Sequence, residues 1–363
     1  MNVKKLVFPI GVGSIVIIVM TWLWFILLQT STFPIQNTFY KEVPTQGFGS
    51  LATPQKREWT LLITGDIIPA RTVNTQMNAK NDFFWPITPI APVFQNTDLT
   101  LVNLEAPLLR SCSATTEGMT FCGDTRFVQS LNHIGVDIIN LANNHTLNHG
   151  WEGIAETESA LKEVGIETIG FSSRDPNCNN DVNCSTLVVK EITPIRVGFL
   201  GYNGVGQTID QTRVETEIRH AAAETDVLVV SIHWGKEYSR EATSDPGIAP
   251  DDPIELGNLF IDWGADIVVG NHPHWYQKFE HVVGKDGNNK LIFYALGNTV
   301  FDQEWSLETK RGFLARVHLI GDQIKMNNEK PAIDLYPIGL RDFGQAYLLE
   351  GAEKDAMIEW LEK

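Results

Sequence analysis

Basic residues are in short supply in this chain: 28 Lys and Arg stand against 44 Asp and Glu, a formal net charge of -16. The deficit is spread along the sequence, so the surface repels polyanions, which argues against a nucleic-acid binder driven by phosphate neutralisation. No internal repeat and no low-complexity stretch is present. Cysteine is scarce as well, with four residues in 363. Cys112 and Cys122 form one close pair, Cys178 and Cys184 the other, each in a polar, loop-like stretch. Neither pair has C-x2-C spacing or a neighbouring histidine, which weighs against the competing reading of a zinc site. Of the three connectivities open to four cysteines, the two local disulfides are the simplest, and they suit an oxidising compartment. Apolar residues, by contrast, make up 43% of the chain, enough for a substantial core, which excludes disorder as the dominant state.

Charge is missing altogether from residues 6–28 (LVFPIGVGSIVIIVMTWLWFILL). At about 1.5 Å per residue, a helix of roughly 23 residues reaches about 34 Å, enough to cross the hydrocarbon of a bilayer. A cleaved signal peptide has a shorter apolar region followed by small residues, whereas Trp22, Trp24 and Phe25 crowd the end of this one. An uncleaved anchor is expected. Lys4 and Lys5 precede it and hold the amino terminus inside, which leaves everything after Gln29 outside the cytoplasm. Residues 29–57 carry Pro34, Pro44 and Pro54 without sustained periodicity and read as a tether. The expected organisation is therefore a cytoplasmic end at 1–5, an anchor at 6–28, a linker at 29–57 and one domain at 58–363.

Within that domain, short apolar runs at 59–64, 99–104, 136–141, 195–200, 227–232, 267–269 and 291–296 read as strands. Helical patterns at 153–164, 214–224 and 253–263 alternate with them, more strands are expected from 309 to about 347, and a helix at 352–361 closes the chain. Strands alternating with helices indicate an α/β fold with buried sheets.

The chemistry lies at the carboxyl ends of the apolar runs. WTLLIT is followed by Gly65 and Asp66, DLTLV by Asn103 and Glu105, DIINLA by Asn143, Asn144 and His145, VLVVSI by His233, and DIVV by Asn271, His272 and His274. Taken singly, an Asp after Gly reads as a turn or cap, and a lone histidine as a hydrogen-bonded core residue. Together, four of the nine histidines and two carboxylates fall at the carboxyl edge of a sheet, where open α/β folds bind ligands. Alternate residues of an extended segment face the same way, so His272 and His274 are expected to bring two imidazoles to one centre. Imidazole with carboxylate and amide oxygen suits Zn, Mn, Fe or Co rather than an all-oxygen Ca or Mg site.

The segments GDIIPAR (65–71), LVNLEAPL (101–108), LANNHTLNHG (141–150), SIHWGKEY (231–238), GADIVVGNHPHWYQ (264–277) and YALGNTVFDQ (294–303) together resemble the CapA family of poly-γ-glutamate capsule synthesis proteins. That family in turn resembles calcineurin-like metallophosphatases. The resemblance implies a four-layer α/β/β/α sandwich of metallophosphatase type behind the N-terminal transmembrane helix, with one or two divalent transition metals (Zn, Mn or Fe). It makes Asp66 a ligand of the first metal and Glu105 the bridging acid. Asn144 and His233 become ligands of the second metal, His272 and His274 the last pair of ligands, and His145 the catalytic proton donor. Two departures from the metallophosphatase pattern stand out: Ile68 occupies the place of the histidine that follows the first Asp, and Glu replaces the bridging Asp. Arg71 and Asn298 are candidate substrate-binding residues. Asp302 is a further candidate lining residue, whereas Trp234 and Trp275 read as packing.

The expected function is a membrane-anchored, extracytoplasmic protein that acts on poly-γ-glutamate or a similar anionic polymer by metal-activated hydrolysis. Two other readings are a non-catalytic anchoring or export subunit of the polymer synthase, and a surface phosphoesterase or nucleotidase. An anionic polymer needs local cations on so acidic a chain, and Arg71, Lys236 and Arg240 are the candidates beside the metals.

Overall fold

Asp66 stands next to the end of a ten-residue strand, Glu58–Ile67 (β1), around which the larger of two sheets is assembled. The computed structural model describes residues 57–171 and 185–363. The anchor expected at 6–28, nearly all of the linker, and Cys178 and Cys184 lie outside the described residues. Among the described residues no helix is long and apolar enough to cross a membrane.

In the nine-stranded sheet β1 pairs in parallel with Leu99–Leu104 (β2), and β2 pairs in parallel with Ile138–Asn140 (β3). On its other side lies the antiparallel strand Arg311–Ile320. The six-stranded sheet is centred on Val227–His233 (β4) and Ile267–Asn271 (β5), again parallel neighbours. Because the ligand-bearing strands of each sheet run parallel, their carboxyl ends emerge at one edge. A short strand, Asn298–Val300 (β6), joins β1 in parallel with Asn298 opposite Asp66.

Side chains alternate between the faces of a strand, and the core follows that alternation. Leu61 and Ile63 of β1 pack with Leu101, Val229 and Val269 in a cluster drawn from both sheets. Leu62, one residue out of phase, faces the other way with Val73, Met77, Leu131 and Leu161 from flanking helices. Leu228, Val230 and Val268 of the smaller sheet likewise pack against Val214, Ile218, Leu256 and Phe260 of the helices Gln211–Glu224 and Pro253–Trp263. Asp252 caps the second of these by accepting from the Ile254 and Glu255 amides, with Pro253 in the first turn where no amide hydrogen is needed. The result is a mixed α/β fold of two sheets, each with helices on a face.

The strand expected at 291–296 ends at Phe293. The residues after it turn toward β1, where the Asp66 amide donates to the Gly297 carbonyl at 2.9 Å. Gly65 makes that approach possible, since a Cβ at this position would collide with the Gly297 carbonyl oxygen. The glycine before Asp66 is thus a packing requirement inside a strand rather than a turn.

Candidate metal centre

The five strand ends meet. Asp66 comes from β1, Glu105 follows β2 by one residue, Asn144 and His145 follow β3, His233 ends β4, and His272 and His274 follow β5. All but the half-buried Asn144 are buried. Two sets of donor atoms lie within 4.8 Å of one another: Asp66, Glu105 and His274 in one, Glu105, His233 and His272 in the other. Glu105 belongs to both. Asn144 extends the second set, its Oδ1 lying 2.9 Å from His233 Nε2.

The two histidines after β5 do not share a centre as two side chains of an extended segment would. His272 has φ 99° and His274 φ 58°, so the backbone leaves the extended region after the strand and directs the imidazoles to different sets, with ring centroids 6.0 Å apart. Arg71 (φ 50°) and Tyr238 (φ 56°) also carry positive φ beside this crevice. Backbone strain of this kind, of order 1–3 kcal/mol per residue, collects at functional sites.

Unpartnered atoms test whether the residues fit a metal. Both carboxylate oxygens of Glu105, which is 0% exposed, and both ring nitrogens of His272 are buried without a hydrogen-bond partner. Each buried unsatisfied group costs about 1–3 kcal/mol, and a cation that accepts lone pairs would account for both Glu105 oxygens and for one nitrogen of the neutral His272 ring. The separations agree: His233 Nε2 lies 3.4 Å from Glu105 Oε1 and His274 Nε2 4.0 Å from the same oxygen, close to the roughly 3.4 Å edge of a tetrahedron with bonds of about 2.1 Å.

The electrostatics favour positive charge at this point. Burial alone would lower the basicity of His274, but Glu105 and Asp66 more than offset it and raise its pKa to about 9. Burial also opposes ionisation of Asp66, yet the His274 contact, with His233 and Asn103, holds its pKa below the usual carboxylate value. Burial pushes the pKa of His272 well down, and the neighbouring His233, His274 and His145 imidazoles add to this, so its ring is neutral.

Neighbouring amides orient the donors. Asn298 Nδ2 donates to the Thr309 carbonyl at 3.0 Å, which leaves its Oδ1 to accept from His274 Nδ1 at 2.9 Å and frees His274 Nε2. Asn298 therefore touches a candidate ligand. Asn103, in register with Asp66, donates to Asp66 Oδ1 at 2.8 Å and accepts from Asn140 at 3.2 Å. This rung was missed in the sequence, although Asn103 is a polar residue within a fully buried strand two places before Glu105, which was a usable signal.

His145 lies outside both donor sets. Its Nδ1 is 3.0 Å from Asn148 Oδ1, which also accepts from the Phe121 amide, and its ring stacks on Phe121 with centroids 4.0 Å apart. Burial lowers its pKa. Phe121 adjoins Cys122, and Cys122 is joined to Cys112 by a disulfide, as expected for this pair. Arg71 pairs with Asp302 and lies over the Phe121 and Phe301 rings, so its guanidinium already has an internal partner. Trp234 is buried between Phe260 and Tyr294 and donates to the Tyr294 carbonyl, as a packing residue should. Ile68 is buried in the apolar cluster on the outer face of the larger sheet, which leaves the first donor set with a single imidazole.

Residues 60–303 match the family described as bacterial capsule synthesis protein PGA_cap. Capsule biosynthesis protein CapA of Bacillus anthracis is 25% identical over 340 residues, covering 88% of this chain and 76% of the relative. PGA biosynthesis protein CapA of Bacillus subtilis (strain 168) is 28% identical over 321 residues, covering 82% and 78%. Among solved structures, a hypothetical protein from Thermus thermophilus aligns at 15% identity with a TM-score of 0.45, over 78% of this chain and 100% of that one. The family match spans well over half of the sequence and contains every residue of the two donor sets: the chain belongs to the bacterial capsule synthesis protein PGA_cap family.

Proposed function

We propose that this protein is a membrane-anchored, extracytoplasmic, metal-dependent hydrolase of poly-γ-glutamate capsule synthesis or processing. The capsule and PGA biosynthesis roles carried in the names of its relatives support the polymer. The observation that carries the hydrolytic reading is Glu105, common to both donor sets and buried with two unpartnered oxygens. The two sheets, with apolar clusters between and outside them, support a four-layer α/β/β/α sandwich of metallophosphatase type.

Asp66, Glu105 and His274 would hold one divalent metal, and Glu105, Asn144, His233 and His272 a second, with Zn, Mn or Fe matching these donors. Such a metal supplies a water acidified to near-neutral pKa and polarises the oxygen of the bond to be cleaved. Asn298 keeps His274 in one tautomer. Asn148 Oδ1 accepts from the Nδ1–H of His145, so Nε2 is the atom that would take up a proton and then pass it to the leaving group.

Replacing Glu105 by glutamine removes the shared negative charge. Hydrolysis of poly-γ-glutamate by the purified full chain, and capsule yield at matched protein level, should then fall by about a hundredfold or more, since metal-centred charge stabilisation is worth several kcal/mol. Normal yield would instead support the second reading, a non-catalytic anchoring or export subunit, which the buried Ile68 favours. Anchoring by residues 6–28 predicts that membrane-extracted protein keeps its original amino terminus; amino-terminal sequencing that begins near Thr30 would replace the anchor with secretion.

A further inference from the structure

Beyond His274, away from the donor sets, aromatic side chains lead outward. The Tyr238 ring centroid lies 6.0 Å from that of His274 and 4.9 Å from that of Trp305, which it meets edge-on. Trp305 is 60% exposed, unusual for so large an apolar ring. On its other side Tyr238 lies 6.4 Å from Trp275, and the Arg240 guanidinium lies 5.9 Å from the Trp275 ring centroid.

Two polar atoms and one charge along this path lack a complement. Gln303 donates through Nε2 to the Tyr238 hydroxyl at 2.9 Å, while its Oε1 is buried and accepts nothing. Trp275 Nε1 is buried and donates to nothing. Arg240 donates to the Tyr276 carbonyl at 3.0 Å and stacks at 3.5 Å from the Tyr276 ring centroid, but forms no ion pair among the described residues. In a chain with net charge -16, a half-buried arginine without a carboxylate is an exception. An acceptor, a donor, a cation and an exposed aromatic face therefore lie along one path that begins at a candidate metal ligand.

We propose that Tyr238, Trp275, Arg240, Gln303 and Trp305 form a chain-binding subsite for an amide-linked, carboxylate-bearing organic polymer. One γ-linked glutamyl unit supplies each complement: an amide N–H for Gln303 Oε1, an amide C=O for Trp275 Nε1–H, a carboxylate for Arg240 and methylenes for the Tyr238 and Trp305 faces. A buried polar group that meets its partner only in the complex discriminates strongly against ligands lacking that partner. The guanidinium answers the charge problem locally, since a carboxylate near Arg240 is attracted although the chain as a whole repels it. This inference rests on the polymer reading of the metal centre and adds how the chain is held beside it.

The test uses the full chain, metal-loaded and in detergent, with a synthetic γ-glutamyl hexamer as probe and calorimetry as readout. Trp305→Ala and Arg240→Gln should each weaken binding by about tenfold, the effect of losing one contact worth about 1.4 kcal/mol, with metal content equal to wild type. Rising salt should weaken binding to wild type more than to Arg240→Gln. A hexamer of 4-aminobutanoate, which keeps the amide and methylenes but lacks the carboxylate, should bind wild type and Arg240→Gln equally. Wild-type binding of the γ-glutamyl hexamer with unchanged affinity in both variants would overturn the subsite and leave the polymer reading standing. No binding by metal-loaded wild type would overturn the polymer reading and the subsite with it.

Discussion

His272 and His145 stand close together and do different work. Both nitrogens of His272 are buried and unpartnered within a donor set, whereas His145 belongs to no set and is tied through Nδ1 to Asn148. His272→Ala removes one of the four donors of its set, so metal affinity should fall by tenfold or more, read by metal analysis after dialysis. His145→Ala should keep its metal and lose turnover by about 10²–10⁴-fold, the usual contribution of a positioned proton donor. Equal metal content in wild type and His272→Ala would remove that residue from the ligand set.

At the scale of elements, the approach of the loop after Phe293 to β1 decides whether Asn298 stands opposite Asp66. Gly65→Ala forces a Cβ against the Gly297 carbonyl. Overpacking of this kind costs about 1–3 kcal/mol, so the thermal midpoint should drop, and metal affinity should drop with it as the two strands separate at their ligand ends. Calorimetry with and without added metal measures both effects. Long apolar strands such as 227–232 were legible because nearly every residue of a doubly covered strand is apolar, Ser231 being the exception there, and the candidate ligands were legible because they end or closely follow such runs. The helix Thr72–Lys80 was not, since its buried face carries Asn74 beside Val73 and Met77 and leaves no apolar stripe to read. Asn74 is buried because it accepts from the Asp124 amide, fifty residues away. The Asn103 rung escaped notice for the same reason, its partners being 37 residues distant on either side. The division of His272 and His274 between two donor sets depends on positive φ, which no apolar period announces.

At the scale of the molecule, each donor set draws from both sheets: Asp66 lies in a strand of the larger one and Glu105 follows another, while His233, His272 and His274 end or follow strands of the smaller. An ion in either set is therefore a bolt through the seam between the two halves of the fold. A ligand present at a hundred times its Kd adds about 2.7 kcal/mol to the folded state. Chelation should then lower the melting temperature of the whole domain in one cooperative step and speed its digestion by protease; an unchanged melting curve would show that the ion stabilises nothing beyond its own pocket. A cell short of the metal would thus lose copies of the protein to proteolysis, and supply of the ion would set how much of it survives as well as how well each copy works.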